Sequence, residues 1–272
     1  MSDAASTLGR SPRLGEQIRY WAPAVVVFAL GLAAWQWLFP DVLGVEDFLL
    51  PRLSDVLRAL VDERDLLLRG AWITLKEAVG GFVLGCSAAI VAALVLARWR
   101  PFGNALMPYM IAANAIPIIA FAPITNAWFG LLSPWSKVTI AAVLCFFPVL
   151  VNTLRGLTSV DPESIELMRS YAAPEREVFR RVRIPNSLPY VFSALKVASV
   201  LAMIGAVVGD YFGGSLEALG IVVLSAVNLS RYATSWAAIL VASIMGLAFY
   251  GVISGLERYA LRWHPSVRAR AS

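Results

Sequence analysis

The chain is poor in the residues that most chemistry needs. Among 272 residues there is one histidine, His264, and there are two cysteines, Cys86 and Cys145, both in apolar stretches. So few imidazole and thiol donors leave no visible metal-ligand cluster. The cysteines read as packed small side chains rather than a disulfide. A membrane-embedded enzyme would need a nucleophile, a base or a metal, and the single histidine argues against most such sites. The three lysines, Lys76, Lys137 and Lys196, never follow a glycine, which excludes a Walker phosphate loop. Charge is scarce too. Only 15% of residues are charged, where a soluble domain carries roughly 25%.

What is present in excess is apolar. Hydrophobic residues make up 59% of the chain and the mean hydropathy is +0.70. Disorder, nucleic-acid binding and a small disulfide scaffold are excluded as primary readings. The net charge of +5 then calls for a membrane explanation. A bilayer span needs about 20 apolar residues to cross roughly 30 Å of hydrocarbon. Charge-poor runs predict six spans, at 20–39, about 72–97, 102–121, 135–154, 188–211 and 232–256. Between the third and fourth lies a proline-rich segment, 122–134, expected to be irregular or re-entrant. The first run ends in Trp-Gln-Trp-Leu-Phe-Pro, without a small-residue cleavage site, so it is expected to remain as a span.

Arginine placement orients these spans. Fifteen basic residues fall in the N-terminal tail 1–19, the second and fourth connections and the C-terminal end from Arg258 through the tail 259–272, against six on the other side. The positive-inside rule makes the first side cytoplasmic, with both termini inside. The external loop 40–69 is expected to carry a surface helix around Ser54 to Leu68.

The connection 158–189 is longer and more charged than a simple link between spans requires. Asp161 is a good N-cap, Pro162 suits the first helical position and Glu163 complements the helix dipole. A second short helix is expected from Pro174 to Arg183, ended by Pro185 and Pro189. Val178, Phe179 and Val182 form an apolar patch rimmed by Arg176, Arg180, Arg181 and Arg183. Such an element suits either docking to a partner or lying on anionic headgroups.

Within this loop, Glu166-Leu-Met-Arg-Ser-Tyr-Ala172, nine further residues and Val182-Arg-Ile184-Pro185 resemble the EAA loop of binding-protein-dependent ABC importer permeases. That pattern reads Glu-Ala-Ala, three residues, Gly, nine residues, Ile, any residue, Leu-Pro. Glu166 and Pro185 match outright, and Val182 and Ile184 are conservative. Leu167, Met168 and Ala172 depart from the two alanines and the glycine. Further similarity lies in Phe48-Leu-Leu-Pro51, Thr74-Leu-Lys-Glu77, Ile116-Pro117 through Ala122-Pro123, Trp128-Phe-Gly130, Phe146-Phe-Pro148 and Leu256-Glu-Arg258. Together they resemble the branch serving nitrate, taurine, sulfonates, riboflavin and thiamine-precursor pyrimidines.

The resemblance implies an all-α integral membrane protein with the type I importer permease fold, its permease domain over 70–258. It implies a transport subunit rather than an enzyme. This chain would bind no cofactor, with ATP and Mg held by cytoplasmic ATPase subunits. A second permease subunit in a homodimer and an extracytoplasmic solute-binding protein complete the machine in a bacterial inner membrane. Glu166, Ala172, Pro174, Val178, Phe179, Val182 and Pro185 would couple it to the ATPase.

Polar residues inside spans are the candidates for the pathway. Asn114 and Asn126 flank the proline-broken segment, where irregular backbone can line a cavity. Asp210 ends the fifth span, placed to line the pathway, close a gate or hold a helix end. Asn152 is expected to bond between helices, and Lys196 to snorkel or pair with an acid. Lys76 and Glu77 are expected to face interface water. Gly80, Gly81 and Gly85 form a small-residue face suited to close helix contact. The competing reading, an ATPase-independent secondary transporter or channel, would want more intramembrane acids and an internal repeat.

Overall fold

A computed structural model describes residues 14–42, 46, 48–113 and 117–262, with side chains described from residue 22 onward except at 39–45, 47 and 100–104. The described residues are helical apart from short turns. Helix α1 (Leu14–Ala33) runs into a π-helical stretch, Ala34–Val42. Helices α2 (Leu53–Asp62), α3 (Arg64–Arg98), α4 (Arg100–Ala113), α5 (Phe121–Phe129) and α6 (Pro134–Thr158) follow. Then come α7 (Pro162–Ser170), α8 (Glu175–Val178), a π-helical turn at Phe179–Arg183, α9 (Ile184–Tyr211), α10 (Leu219–Asn228) and α11 (Tyr232–Ala260).

Among the described residues, four helical stretches are long and apolar enough to cross a bilayer: α3, α6, the continuous Glu175–Tyr211 and α11. The bent pair α4 and α5 passes the same test only together, with 75° between its pieces. The apolar part of the first run is shorter, Ala22–Leu38. Its far end is tied down: Trp35 Nε1 donates to Pro51 O at 2.9 Å and its ring meets Trp236 edge-on, and Gln36 exchanges two bonds with Ser54.

The centre of the fold is the crossing of α3, α6 and α9. Small residues make it possible. Gly81 and Gly85 of α3 lie against Val138, Ala141 and Ala142 of α6, and Gly205 of α9 meets Ala141 from the other side. Without a hydrophobic drive between helices in lipid, close backbone approach supplies the dispersion that holds them. Ala89, Ala93, Cys86, Cys145, Ala198 and Ala202 continue this seam, all buried. Both cysteines are free, and Cys145 Sγ bonds Ala198 O at 3.3 Å.

Three expectations are altered. The segment expected to be irregular or re-entrant at 122–134 is helical through Phe129, because Pro123 stands in the first turn of α5, where a missing N–H costs little, and the 75° bend before it fits a broken span or a re-entrant loop. Helix α3 begins at Arg64, not near Trp72, and at 1.5 Å per residue its 35 residues reach about 52 Å, so it projects well beyond the hydrocarbon. Pro185 and Pro189 do not stop a helix, since Glu175–Tyr211 is continuous. Pro185 follows the widened π-turn at Phe179–Arg183, the kind of local adjustment that absorbs a missing donor.

Candidate functional site

Two polar constructions stand at opposite ends of the bundle. The first is the 158–189 segment. Asp161 caps α7 as expected, accepting from Glu163 N at 3.2 Å. At the other end of α7, Ala172 N bonds Arg169 O at 2.8 Å and Ala173 N bonds Met168 O at 3.1 Å, the paired bonds of a Schellman cap. That cap requires a left-handed residue, and Ala172 has φ 52°. Ala172 is where the family pattern carries glycine, and its Cβ makes this conformation costly. Ala172→Gly is therefore expected to stabilise the chain by about 0.5–1 kcal/mol, a rise of a few degrees in Tm. A lower Tm for the glycine variant would contradict the cap assignment.

The rest of the segment is bolted to the bundle. Val178 is 1% exposed, and Phe179 is half-buried against the core. Arg183 is buried and bonds Glu175 Oε1 at 2.8 Å, closing a bridge from the π-turn to the start of α8. Asn186 Nδ2 reaches Gly156 O at 2.9 Å, where Gly156 lets Ser187 and Tyr190 approach α6 closely. The π-turn thus rotates the apolar patch read from the sequence inward: Val178 supports the fold, and Val182 and Pro185 are half-buried. The large apolar side chains left exposed on this segment are Leu167 and Tyr171, 58% and 77% exposed, with Glu166, Arg169, Ala172 and Pro174 exposed beside them. Sequence reasoning passed over Leu167 and Tyr171. The signal was available, since a large apolar residue on a charged nine-residue helix has nothing of its own helix to bury against.

The second construction is a buried charge cluster at the other end. Asp210, in the last turn of α9, is fully buried. Its Oδ2 accepts from Thr74 Oγ1 of α3 at 3.0 Å and from Gly220 N at the start of α10 at 3.4 Å. Thr74 Oγ1 in turn accepts from Leu219 N at 3.1 Å. The carboxyl group of Glu77 lies beside that of Asp210. Lys137 of α6 is also fully buried, its Nζ donating to Leu131 O at 2.6 Å and Ser133 O at 3.3 Å, while its Cε and Asp210 Oδ1 both flank Gly214. Glu77 therefore does not face interface water, being 3% exposed, whereas Lys76 lies over the Trp72 ring at 5.7 Å. A cavity of about 330 Å³ opens beside Lys76 and Glu77, walled by Leu132, Pro134 and Ser215. The cluster ties α3, α6, α9 and the first turn of α10 into one knot.

The remaining candidates separate. Asn126 cross-links α5: its Nδ2 donates to Phe212 O at 2.8 Å and its Oδ1 accepts from Ser136 Oγ at 2.5 Å. Asn114 lies outside the described residues. Asn152 bonds Pro148 O of its own helix at 2.8 Å, not a neighbouring helix. Lys196 pairs with Glu257 of α11 at 2.6 Å, both mostly buried. A larger hollow of about 650 Å³ lies between α9, α10 and α11, apolar apart from Tyr211 and Ser243, and neither Asn126 nor Asp210 lines it.

This arrangement can be set beside known proteins. A family profile described as "Binding-protein-dependent transport system inner membrane component" matches residues 81–261. The riboflavin transport system permease protein RibX of Chloroflexus aurantiacus is 33% identical over 266 residues, 94% of this chain and 96% of that protein. The formylaminopyrimidine transport permease protein ThiX of Halalkalibacterium halodurans is 32% identical over 219 residues, 80% of this chain and 87% of its own. Among solved structures, an amino acid ABC transporter chain aligns with a TM-score of 0.58 at 21% identity, covering 74% of this chain and 96% of that one.

Proposed function

Since the chain belongs to the binding-protein-dependent transport system inner membrane component family, as an ABC importer permease subunit of the inner membrane, we propose that the 158–189 segment is where a separate ATPase engages it. Two copies of the chain form the pathway. ATP and Mg are handled by the ATPase, and a solute-binding protein delivers substrate at the charge-cluster end. The segment end and both termini are cytoplasmic, in keeping with the basic excess there. The substrate is a small heteroaromatic solute of the riboflavin or pyrimidine-precursor kind, a reading supported by the names of the two relatives at 32–33% identity.

One observation carries the coupling assignment. Leu167 and Tyr171 present exposed apolar surface with Glu166 and Arg169 around it, on α7 and its cap, directly ahead of an element fixed to the bundle through Val178, the Arg183–Glu175 bridge and Asn186. An exposed aromatic anchor with a charged rim is what a partner groove takes up. Chain continuity from α7 into the packed 175–183 element lets movement of the partner pass to α6 and α9, a switch between two arrangements biased by nucleotide.

The test is substrate-stimulated ATP hydrolysis by the reconstituted transporter. Tyr171→Asp combined with Leu167→Asp is expected to cut the stimulation at least about tenfold, the scale of losing an interface anchor. Thermal unfolding of the isolated permease stays unchanged, because both side chains are already in water. Unaltered stimulation in a correctly inserted double variant would remove the assignment. Substrate flux through the permease alone, without ATPase, would remove the importer mechanism itself.

A further inference from the structure

A third cavity sits at the segment end, between the end of α3 and the 175–183 element. It measures about 300 Å³ and is lined by Ala97 and Arg98 at the end of α3, and by Glu175, Arg176, Phe179 and Arg183. Three guanidinium groups against one carboxylate leave an excess of two positive charges. The single acid is already engaged, because Glu175 holds Arg183 at 2.8 Å. Arg183 is 4% exposed, so one charged wall is fixed in the protein rather than waving in water. Arg98 and Arg176 are exposed at the mouth, and neither has an ion-pair partner among the described residues. The half-buried Phe179 provides an apolar floor.

The cavity's place on the fold narrows its occupant. Arg98 is the last residue of a long apolar helix, and the next residue, Trp99, is 60% exposed, as an aromatic side chain at a bilayer surface would be. A guanidinium set at that level meets phosphate oxygens, to which its planar fork donates bidentately. Anionic lipids enrich such groups at the cytoplasmic surface. We propose that this cavity is a binding site for a phosphate-bearing headgroup, supplied by an anionic phospholipid of the surrounding leaflet. The lipid would bridge the end of α3 to the start of the 175–183 element. Its acyl chains would run along the apolar flank of α3, where Val91 and Val95 are exposed.

The site shares the 175–183 element with the proposed ATPase contact, but its test does not involve ATP and reads lipid retention alone. The full-length permease is placed in nanodiscs of phosphatidylcholine with increasing phosphatidylglycerol, and lipid retained after extraction is measured by native mass spectrometry. Arg98→Gln with Arg176→Gln leaves the Arg183–Glu175 bridge intact and is expected to weaken phosphatidylglycerol retention about thirtyfold, the effect of two basic contacts at a membrane surface. Retention of phosphatidylcholine is unchanged. Arg169→Gln with Arg258→Gln removes the same charge elsewhere on that end and is expected to change retention less than about threefold, since surface charge acts only within a Debye length. If the glutamine pair does not insert, Arg98→Lys with Arg176→Lys keeps the charge but loses the bidentate fork, and an intermediate loss is expected. Equal losses from the two glutamine pairs would overturn the site in favour of general surface charge. Displacement of the lipid by millimolar inorganic phosphate would overturn the lipid assignment and leave a soluble phosphate as the occupant.

Discussion

Lys137→Met is expected to destabilise the chain by about 3–5 kcal/mol, enough to abolish the folded permease in most preparations. The substitution keeps the volume of the side chain and removes only its charge. Two carboxyl groups, Glu77 and Asp210, then face each other in a buried site that has lost its buried cation, leaving only the exposed Lys76 nearby. The carbonyls of Leu131 and Ser133 lose their donor as well. Removing one partner of a buried charge set is costly because the other cannot return to water. Adding Glu77→Gln to Lys137→Met is expected to recover at least half of the loss, since one acid disappears and an amide donor takes its place. Thermal unfolding of the four proteins of this cycle measures the coupling. A Lys137→Met protein within about 1 kcal/mol of the parent would show that the cluster does not depend on its cation.

The second large effect is steric. Gly85→Val should cost about 3 kcal/mol or more, at the upper end of overpacking penalties. A Cβ on Gly85 would meet Ala142 O, with Ala142 Cα at 2.8 Å and its carbonyl carbon at 2.9 Å. All three are backbone atoms of a neighbouring helix, so nothing can rotate aside and α3 must move off α6. Gly251→Ala on α11 is the matched control. Nothing lies within 4 Å of its Cβ position, and the substitution gains helix propensity. Equal losses in the two variants, read as folded yield and Tm, would show that backbone proximity at the α3–α6 crossing is not what makes Gly85 sensitive.

Much of the architecture was legible in order along the chain. The apolar runs that become α3, α6, α9 and α11, the cap at Asp161 and the glycine face on α3 needed only windows of a few to twenty residues. The bilayer imposes its requirement on each segment separately, so a local reading suffices. The charge cluster was less legible. Glu77 looked like an interface residue and Lys137 like one of six basic residues on the far side. A stricter rule would have found them: charges of opposite sign inside apolar helices have to find one another. They do, as Glu77 and Asp210 with Lys137 and, separately, Lys196 with Glu257 at a helix end. The 158–189 segment differed in another way. Its two short helices after Asp161 and Pro174 were legible, yet Val178, read as part of an outward apolar patch, is buried. Val178 went in and Tyr171 stayed out.

By itself the sequence determined that this chain lives in a membrane, where its helices run, which end carries the basic charge and which family it resembles. Those properties are sums over neighbouring residues, and hydrophobic transfer and charge asymmetry act on such sums. The tertiary structure alone decided rotation and pairing: that Thr74 and Asp210 hold the first turn of α10, that Asn126 ties α5 to the end of α9, and that three arginines from distant positions wall one cavity. A helix can turn about its axis without changing its hydropathy. The angle it settles at is fixed by close contacts such as Gly85 on Ala142, between residues far apart in the chain.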